Sequence, residues 1–103
     1  MTDAVALNQF SDDVAKDEAK AIIKMEMARR GMSFRDLLQA LEAVGVHEDE
    51  RNLRNKVARA TFTAGFFLQC LYAMRVKRLD LEGLNPSIYD IQKSVQAILD
   101  EDG

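Results

Sequence analysis

The sequence has little of the chemistry on which small secreted or metal-binding proteins depend. Its 103 residues include one cysteine, one histidine, one proline and no tryptophan. The single cysteine, Cys70, can form no internal disulfide, and no cysteine or histidine lies near it at the spacing that zinc sites use. The sequence therefore excludes a disulfide framework and a zinc signature, and it fits the reducing conditions of the cytosol.

Motifs of catalytic and phosphate-binding loops are also missing, because neither a glycine-rich phosphate loop nor a nucleophile elbow occurs. His47 lacks the partners that a general base or a metal ligand needs, so we interpret it as a solvent-facing turn residue. Cys70 lies in the most apolar segment and is interpreted as a small buried hydrophobic residue. Adjacent acids such as Asp49 and Glu50 point to different sides of a helix and make no carboxylate pair. We expect no enzymatic activity, no cofactor, no metal and no small-molecule ligand.

Long apolar runs are absent as well, since the longest uncharged stretch covers residues 61–74 and a bilayer span needs about 20 residues. The N-terminal region carries acids where a signal peptide carries bases. Hydrophobic residues make up 48% of the chain and charged residues 30%, as in soluble globular proteins. We expect a cytoplasmic protein that does not contact the membrane, with a flexible acidic arm over residues 1–12 and a single helical domain over residues 13–103.

Charge is segregated along the chain. Residues 1–19 carry a net charge of −4 and residues 79–103 a net charge of −5, whereas residues 20–78 carry +6, within an overall charge of −3. Because salt screens charges beyond about 8 Å, a basic face can attract phosphate despite acidic ends. The same excess is also compatible with an ordinary solvated surface.

Apolar residues recur at steps of three and four, which predicts an all-α compact bundle of about five helices. The first helix is expected over residues 14–30 and ends at Gly31. Ser33 caps the second helix, with Asp36 as the acid of a capping box, and Gly45 ends it. A third helix follows over about residues 48–59, and either Thr61 or Thr63 caps a strongly apolar fourth helix.

The C-terminal part of the chain has two further expected elements. Residues 76–82 alternate imperfectly between apolar and charged side chains, which predicts a short extended segment. Asn85 then caps a last helix over about residues 86–100, with Pro86 at its first position. The apolar stripe of this helix has two open interpretations, which are a cover for the domain core and a two-fold interface between two copies.

The second and third helices, over about residues 33–59, have the pattern of a helix-turn-helix. In such a motif one side of the second helix packs on the domain and the opposite side contacts DNA. The connection between them is short and contains a glycine, and the third helix needs only Leu53 and Val57 to contact the core. Its other faces carry basic and amide side chains, which suit base edges and phosphates in duplex DNA. The candidate DNA-binding residues are Arg51, Asn52, Arg54, Asn55, Lys56 and Arg59.

At this point the sequence resembles the lambda-repressor-like (Xre/Cro) helix-turn-helix family. The segments KMEMARRGMSFRDLLQALEAVGV, NLRNKVARATF and TAGFFLQCLYAMRV carry the resemblance. It is also similar to a bacterial family known only as a domain of unknown function. The first resemblance implies sequence-selective binding of double-stranded DNA by a transcriptional regulator, with Asn52, Asn55, Lys56 and Arg59 facing the DNA and Arg51 and Arg54 nearby. Separately from the resemblance, we expect a homodimer with the last helix as the candidate interface, because linking two half-sites raises the effective affinity.

The sequence departs from that family in three places, one of which is residue 60, an alanine where the family often has glycine. The turn after Gly45 is longer than in the family, and three acids, Glu48, Asp49 and Glu50, precede the third helix. Acids near the groove would repel phosphate. These departures favour an alternative function, a protein interaction module of the adaptor or antitoxin type on a helix-turn-helix scaffold.

Overall fold

Four α-helices follow one another in a computed structural model that describes residues 11–79 and 96–100. They are α1 (Asp12–Arg29), α2 (Phe34–Ala43), α3 (Glu50–Arg59) and α4 (Ala64–Ala73). Residues 96–100 are also helical, and no strand occurs within the described ranges. The expected all-α fold class is therefore confirmed.

Helix α1 buries one narrow stripe of its surface. Ile22, Ile23 and Met27 recur at steps of one and four and are all buried. At its start, the Ser11 hydroxyl accepts a hydrogen bond from the Val14 amide at 3.3 Å, so the helix begins two residues earlier than predicted. The chain leaves α1 through Gly31, whose φ of 62° few other residues adopt without strain.

The start of α2 is fixed by a capping box. The Ser33 hydroxyl accepts from the Asp36 amide at 3.1 Å, and the Asp36 carboxylate accepts from the Ser33 amide at 2.8 Å. These bonds satisfy two amides that the first turn of a helix leaves without partners. The same hydrogen bonds lower the pKa of the Asp36 carboxyl. The predicted cap is therefore present as the sequence indicated.

Helices α3 and α4 each begin at a side-chain cap and are joined by a left-handed residue. Asp49 caps α3, where its carboxylate accepts from the Asn52 amide at 2.7 Å. Thr63, rather than Thr61, caps α4 and accepts from the Phe66 amide at 3.0 Å. Between them Ala60 has a φ of 54°, a conformation that usually selects glycine.

The core of the unit Ala19–Arg78 lies where α2 packs against both α3 and α4. Its completely buried side chains come from every helix and are Ile23, Leu37, Leu41, Leu53, Val57 and Cys70. Interiors of this kind are close-packed, so each of these contacts fixes the position of the neighbouring helix. Helix α2 is therefore the element that holds α3 in place.

Polar contacts join α1 to the ends of α3 and α4. The Lys20 ammonium donates to the Ala58 carbonyl at 2.9 Å, and the Arg30 Nε donates to the Met74 carbonyl at 2.7 Å. Both acceptors lie at helix C-termini, where carbonyls lack helical partners and cations are favoured. Arg30 also pairs with the buried carboxylate of Glu26, which supplies the partner that a buried charge requires.

Several predictions about the termini fall on residues that the structure does not describe. Residues 75–79 follow α4 without helix or strand, and the rest of the expected extended segment lies outside the described residues. The same is true of Asn85, Pro86 and most of the last helix, of which residues 96–100 are helical. The division into an arm over residues 1–12 and one domain over residues 13–103 stays a prediction.

Two glycines give opposite expectations for the same substitution. Gly45 has a φ of 86° and open space around its α-carbon, so Gly45→Ala creates backbone strain without a clash. We expect it to lower the free energy of unfolding by about 1 kcal/mol.

Gly65 lies in the first turn of α4, where a methyl group would meet only the Thr63 side chain at an ordinary 3.7 Å. Gly65→Ala should raise stability by about 0.5 kcal/mol, and urea titrations of both variants check the two signs.

Candidate nucleic-acid interface

The orientation of α3 is set by the residues through which it contacts the core. Leu53 and Val57, one turn apart, are completely inaccessible to solvent, and Ala60 is buried just beyond the end of the helix. Residues at this spacing share one face of a helix, so the opposite face points to solvent. The expected inward anchoring of α3 is therefore present.

Four polar residues occupy the solvent-facing side of α3, and we call them the outward face. Steps of three and four residues connect them, and each is exposed: Arg51, Asn52, Asn55 and Arg59. Within the part of the chain that the structure describes, their side chains make no hydrogen bond or ion pair with other side chains. The outward face thus presents two guanidinium and two carboxamide groups to solvent.

Arg54 lies at the edge of the outward face and is held towards α2. Its guanidinium donates twice to the Glu50 carboxylate, at 3.0 and 3.2 Å, and lies 5.1 Å from the centre of the Phe34 ring. Arg35, in the first turn of α2, approaches the same carboxylate at 3.4 Å. The hydrogen bonds from Arg54 lower the pKa of the Glu50 carboxyl, which favours its ionised form.

Lys56 points away from the outward face. Its ammonium lies 2.7 Å from the Glu48 carboxylate and 4.5 Å from the centre of the Phe66 ring of α4. Only 38% of the Lys56 side chain is exposed, and only 13% of that of Glu48. A cation that is paired, half-buried and set over an aromatic ring holds the turn before α3 against α4.

Each member of the acidic trio before α3 has a role within the fold. Glu48 pairs with Lys56, Asp49 caps the helix, and Glu50 pairs with Arg54 and Arg35. Their negative charge is therefore largely compensated by neighbouring cations or by the helix N-terminus. The repulsion that the sequence suggested between these acids and phosphate is correspondingly reduced.

The six candidate DNA-binding residues thus separate into two groups. The structure brings Arg51, Asn52, Asn55 and Arg59 together on one accessible surface, whereas Arg54 and Lys56 are engaged in ion pairs. Arg35 joins the N-terminal end of this region, although it was not among the residues predicted from sequence. The one sequence feature that could have indicated Arg35 is its position in the first turn after the Ser33 cap. Its contact with Glu50 could not be predicted, because that contact depends on how α2 and α3 cross.

Among the described residues, the remaining titratable groups form no second centre. Burial raises the pKa of the Cys70 thiol to about 12, which agrees with its interpretation as a buried hydrophobic residue. His47 is exposed in the turn before α3. In the described ranges, no cluster of three or more histidine, cysteine or acidic residues is arranged to hold a metal ion. None of the helices described here combines the length and apolar character that crossing a membrane requires.

The comparisons with known proteins give one match. The sequence model of a family described as Domain of unknown function (DUF6471) matches residues 15–79, a range that includes α2, α3, α4 and most of α1. No curated protein and no solved structure matches the chain. The resemblance to a domain of unknown function is thus confirmed, and nothing in the comparisons indicates the lambda-repressor-like family.

The role of Asp49 as a helix cap can be tested by substitution. Asp49→Ala removes the acceptor for the Asn52 amide, so we expect a loss of about 1 kcal/mol in the free energy of unfolding. Asp49→Ser keeps an acceptor at the same position and should recover most of this loss. Chemical denaturation of the two variants provides the measurement. Equal stability of Asp49→Ala and the unsubstituted protein would contradict the structural role of this acid.

Proposed function

Because the chain belongs to Domain of unknown function (DUF6471), a family whose description states no activity, we propose a function from the geometry of α3. The protein binds double-stranded DNA sequence-selectively and regulates transcription. The observation that carries this proposal is the outward face, which offers two arginines and two asparagines without internal side-chain partners among the described residues. No cofactor or small-molecule ligand is part of the proposal.

The chemistry of the outward face supports recognition of bases in the major groove. A guanidinium can donate to both acceptors of guanine, and a carboxamide can pair with the acceptor and the donor of adenine. Asn55 lies one turn from Arg51 and one turn from Arg59, so it is central among the four. We assign base contacts to Asn52 and Asn55, and contacts to guanine or phosphate to Arg51 and Arg59.

The arrangement of α2 and α3 supports docking of a helix-turn-helix type. Helix α2 packs against α3, and residues 44–49 connect them, with the α3 anchors facing inward. In such motifs the first helix crosses the DNA backbone while the second lies in the groove. Arg35, in the first turn of α2 and near Glu50, is then placed to contact a phosphate beside the groove.

The ion pairs of α3 reduce the number of cations that remain for DNA. Arg54 and Lys56 already have carboxylate partners, so a contact with phosphate would require breaking those pairs. The electrostatic part of binding therefore depends mainly on Arg51 and Arg59, because Arg35 also approaches the Glu50 carboxylate, and the affinity of one copy should be modest and strongly dependent on salt. A regulator of this kind would act in the cytoplasm, where Cys70 stays reduced.

The alternative function, an interaction module that binds protein through the same helix, has less support. Its sequence arguments were the lengthened turn and the acidic trio. In the structure the three acids cap α3 or pair with lysine and arginine, so they do not form an acidic surface for a partner. The outward face itself is basic and amide-rich, which suits nucleic acid better.

The decisive experiment compares charge-neutralising variants in DNA binding at several salt concentrations. Arg59→Gln and Arg51→Gln should each weaken binding to fragments of the protein's own genomic locus. The logarithmic salt slope should fall by about 0.9 for each phosphate contact that is lost. Asn55→Ala should reduce the preference for the specific site by about 1–3 kcal/mol and leave nonspecific binding nearly unchanged. Fluorescence anisotropy with labelled duplexes measures all three effects.

Lys24→Gln serves as the matched control, because it removes one positive charge outside the outward face, from an exposed position on α1. Lys56 does not serve as a control, since its loss would leave the largely buried Glu48 carboxylate without its partner. Lys24→Gln should not change the salt slope measurably. If all three charge variants behave alike, the outward face has no special role, and if the unsubstituted protein binds no duplex at low salt, the proposed function is wrong.

We also propose that the protein acts as a homodimer, with the C-terminal helix as the candidate interface. Two copies on two half-sites would multiply the few contacts that one outward face can make. Sedimentation velocity over a range of protein concentrations should show a species of twice the monomer mass. A monomer at all concentrations, both with and without DNA, would contradict this expectation.

A further inference from the structure

A second surface of the unit Ala19–Arg78 lies apart from the outward face of α3. The C-terminal ends of α2 and α4 enclose an open groove with a volume of about 650 Å³. Most of the described residues that line it are small or aliphatic, namely Ala40, Ala43, Val44, Ala73 and Val76. No residue of α3 lines it, so a ligand bound there would leave the outward face accessible.

The apolar surface extends beyond the groove along α4. Tyr72 lines the groove and is 74% exposed, and Leu68, one turn earlier on the same helix, is 62% exposed. These are the most exposed large hydrophobic residues of α4, and Val44 is partly exposed across the groove. Contiguous exposed apolar side chains beside a concave surface are typical of sites that bind another protein segment.

Among the described residues, the charges at the groove have one sign. The two charged residues of the described part that line it are Arg75 and Lys77, which we call the rim cations, and Arg78 follows directly in sequence. Arg75 is held in the left-handed region with a φ of 61°, which fixes the path of the chain at the rim. An apolar floor with a basic rim is complementary to a segment that is apolar on one side and carries carboxylates on the other.

We propose that this groove binds an acidic amphipathic helix of a protein partner. Small alanine side chains on both walls allow a helix to approach closely, and Tyr72 and Leu68 extend the apolar contact along its length. The rim cations then pair with carboxylates beside the apolar stripe of the partner. The proposal does not depend on DNA binding, since the two surfaces share no residue.

A second copy of the groove is a poorer occupant for the same surface. If two copies paired groove to groove, Arg75 and Lys77 would lie near the same cations of the other copy. Like charges brought together in an interface oppose association. The charge pattern therefore favours an acidic segment over a second copy of the groove.

The test uses the full chain and two fluorescein-labelled synthetic helical peptides. Both carry the same leucine stripe, and their other positions are glutamates in one peptide and lysines in the other. The acidic peptide should bind with a dissociation constant in the micromolar range, and the basic peptide at least about tenfold more weakly. Raising the salt concentration should reduce this difference.

Two substitutions, each with a matched control, locate the binding site. Lys77→Glu reverses a rim charge and should weaken binding of the acidic peptide about fivefold, whereas Lys24→Glu on α1 should not. Ala43→Gln fills the groove without changing charge and should weaken binding about tenfold, whereas Ala28→Gln, at an exposed alanine of α1, should have no effect.

Several outcomes would overturn the proposal. They are no binding of the acidic peptide, equal binding of both peptides, and binding that Ala43→Gln leaves unchanged. A loss of self-association in Lys77→Glu or Ala43→Gln, observed by sedimentation, would assign the groove to a second copy instead. Each variant is first checked for the unchanged helical circular dichroism of the parent, so that loss of binding is not a loss of folding.

Discussion

The inward anchoring of α3 is the constraint on which the rest of the structure depends. Leu53 and Val57 are the only interior residues of a helix whose other positions are almost all polar, and both are completely buried. With so few anchors, the helix has one stable rotational setting, which is the one that places both aliphatic side chains against the core. This setting determines which arginines and asparagines reach solvent and which side chains turn back towards α2 and α4.

The same setting also divides the cations of α3 between structure and surface. Residues next to the anchors, Arg54 and Lys56, lie within reach of Glu50 and Glu48 and of the Phe34 and Phe66 rings. Among the described residues, the side chains opposite the anchors have no such neighbours. A high count of basic residues in a helix is therefore a poor measure of its capacity for phosphate, because part of the charge is already compensated by the fold.

How much the sequence could predict depended on the range of the interaction. The caps at Ser33 and Thr63 and the glycine stops at residues 31 and 45 are local, and residues within three or four positions determine them. The pairing of Lys56 with Glu48 spans the turn before α3, and the approach of Arg35 to Glu50 crosses from one helix to another. Neither has a periodic signature, since each depends on how the turn folds.

Backbone conformation gave a further limit to prediction. Ala60 and Arg75 both adopt the left-handed conformation at the ends of helices. A glycine at either position would have indicated the turn in the sequence. Here contacts with the core hold the backbone in this conformation. Ala60 is itself buried. Arg75 follows the buried Met74, and the Met74 carbonyl accepts a hydrogen bond from Arg30. The groove between α2 and α4 likewise escaped prediction, because alanines that line a cavity and alanines that pack in a core look alike in a sequence.

The two proposed surfaces are linked by a shared physical need. A helix that offers two unpaired arginines can release few counterions from DNA, so one copy gains limited affinity from electrostatics. Affinity can rise without new base contacts if a second binding event holds the protein near its site, either through another copy or through a partner that itself associates with DNA. A groove formed by α2 and α4 suits binding of such a partner, because α2 packs against both α3 and α4. A partner in the groove would leave the outward-face residues of α3 uncovered. Recruitment and recognition can then act together on one small helical unit.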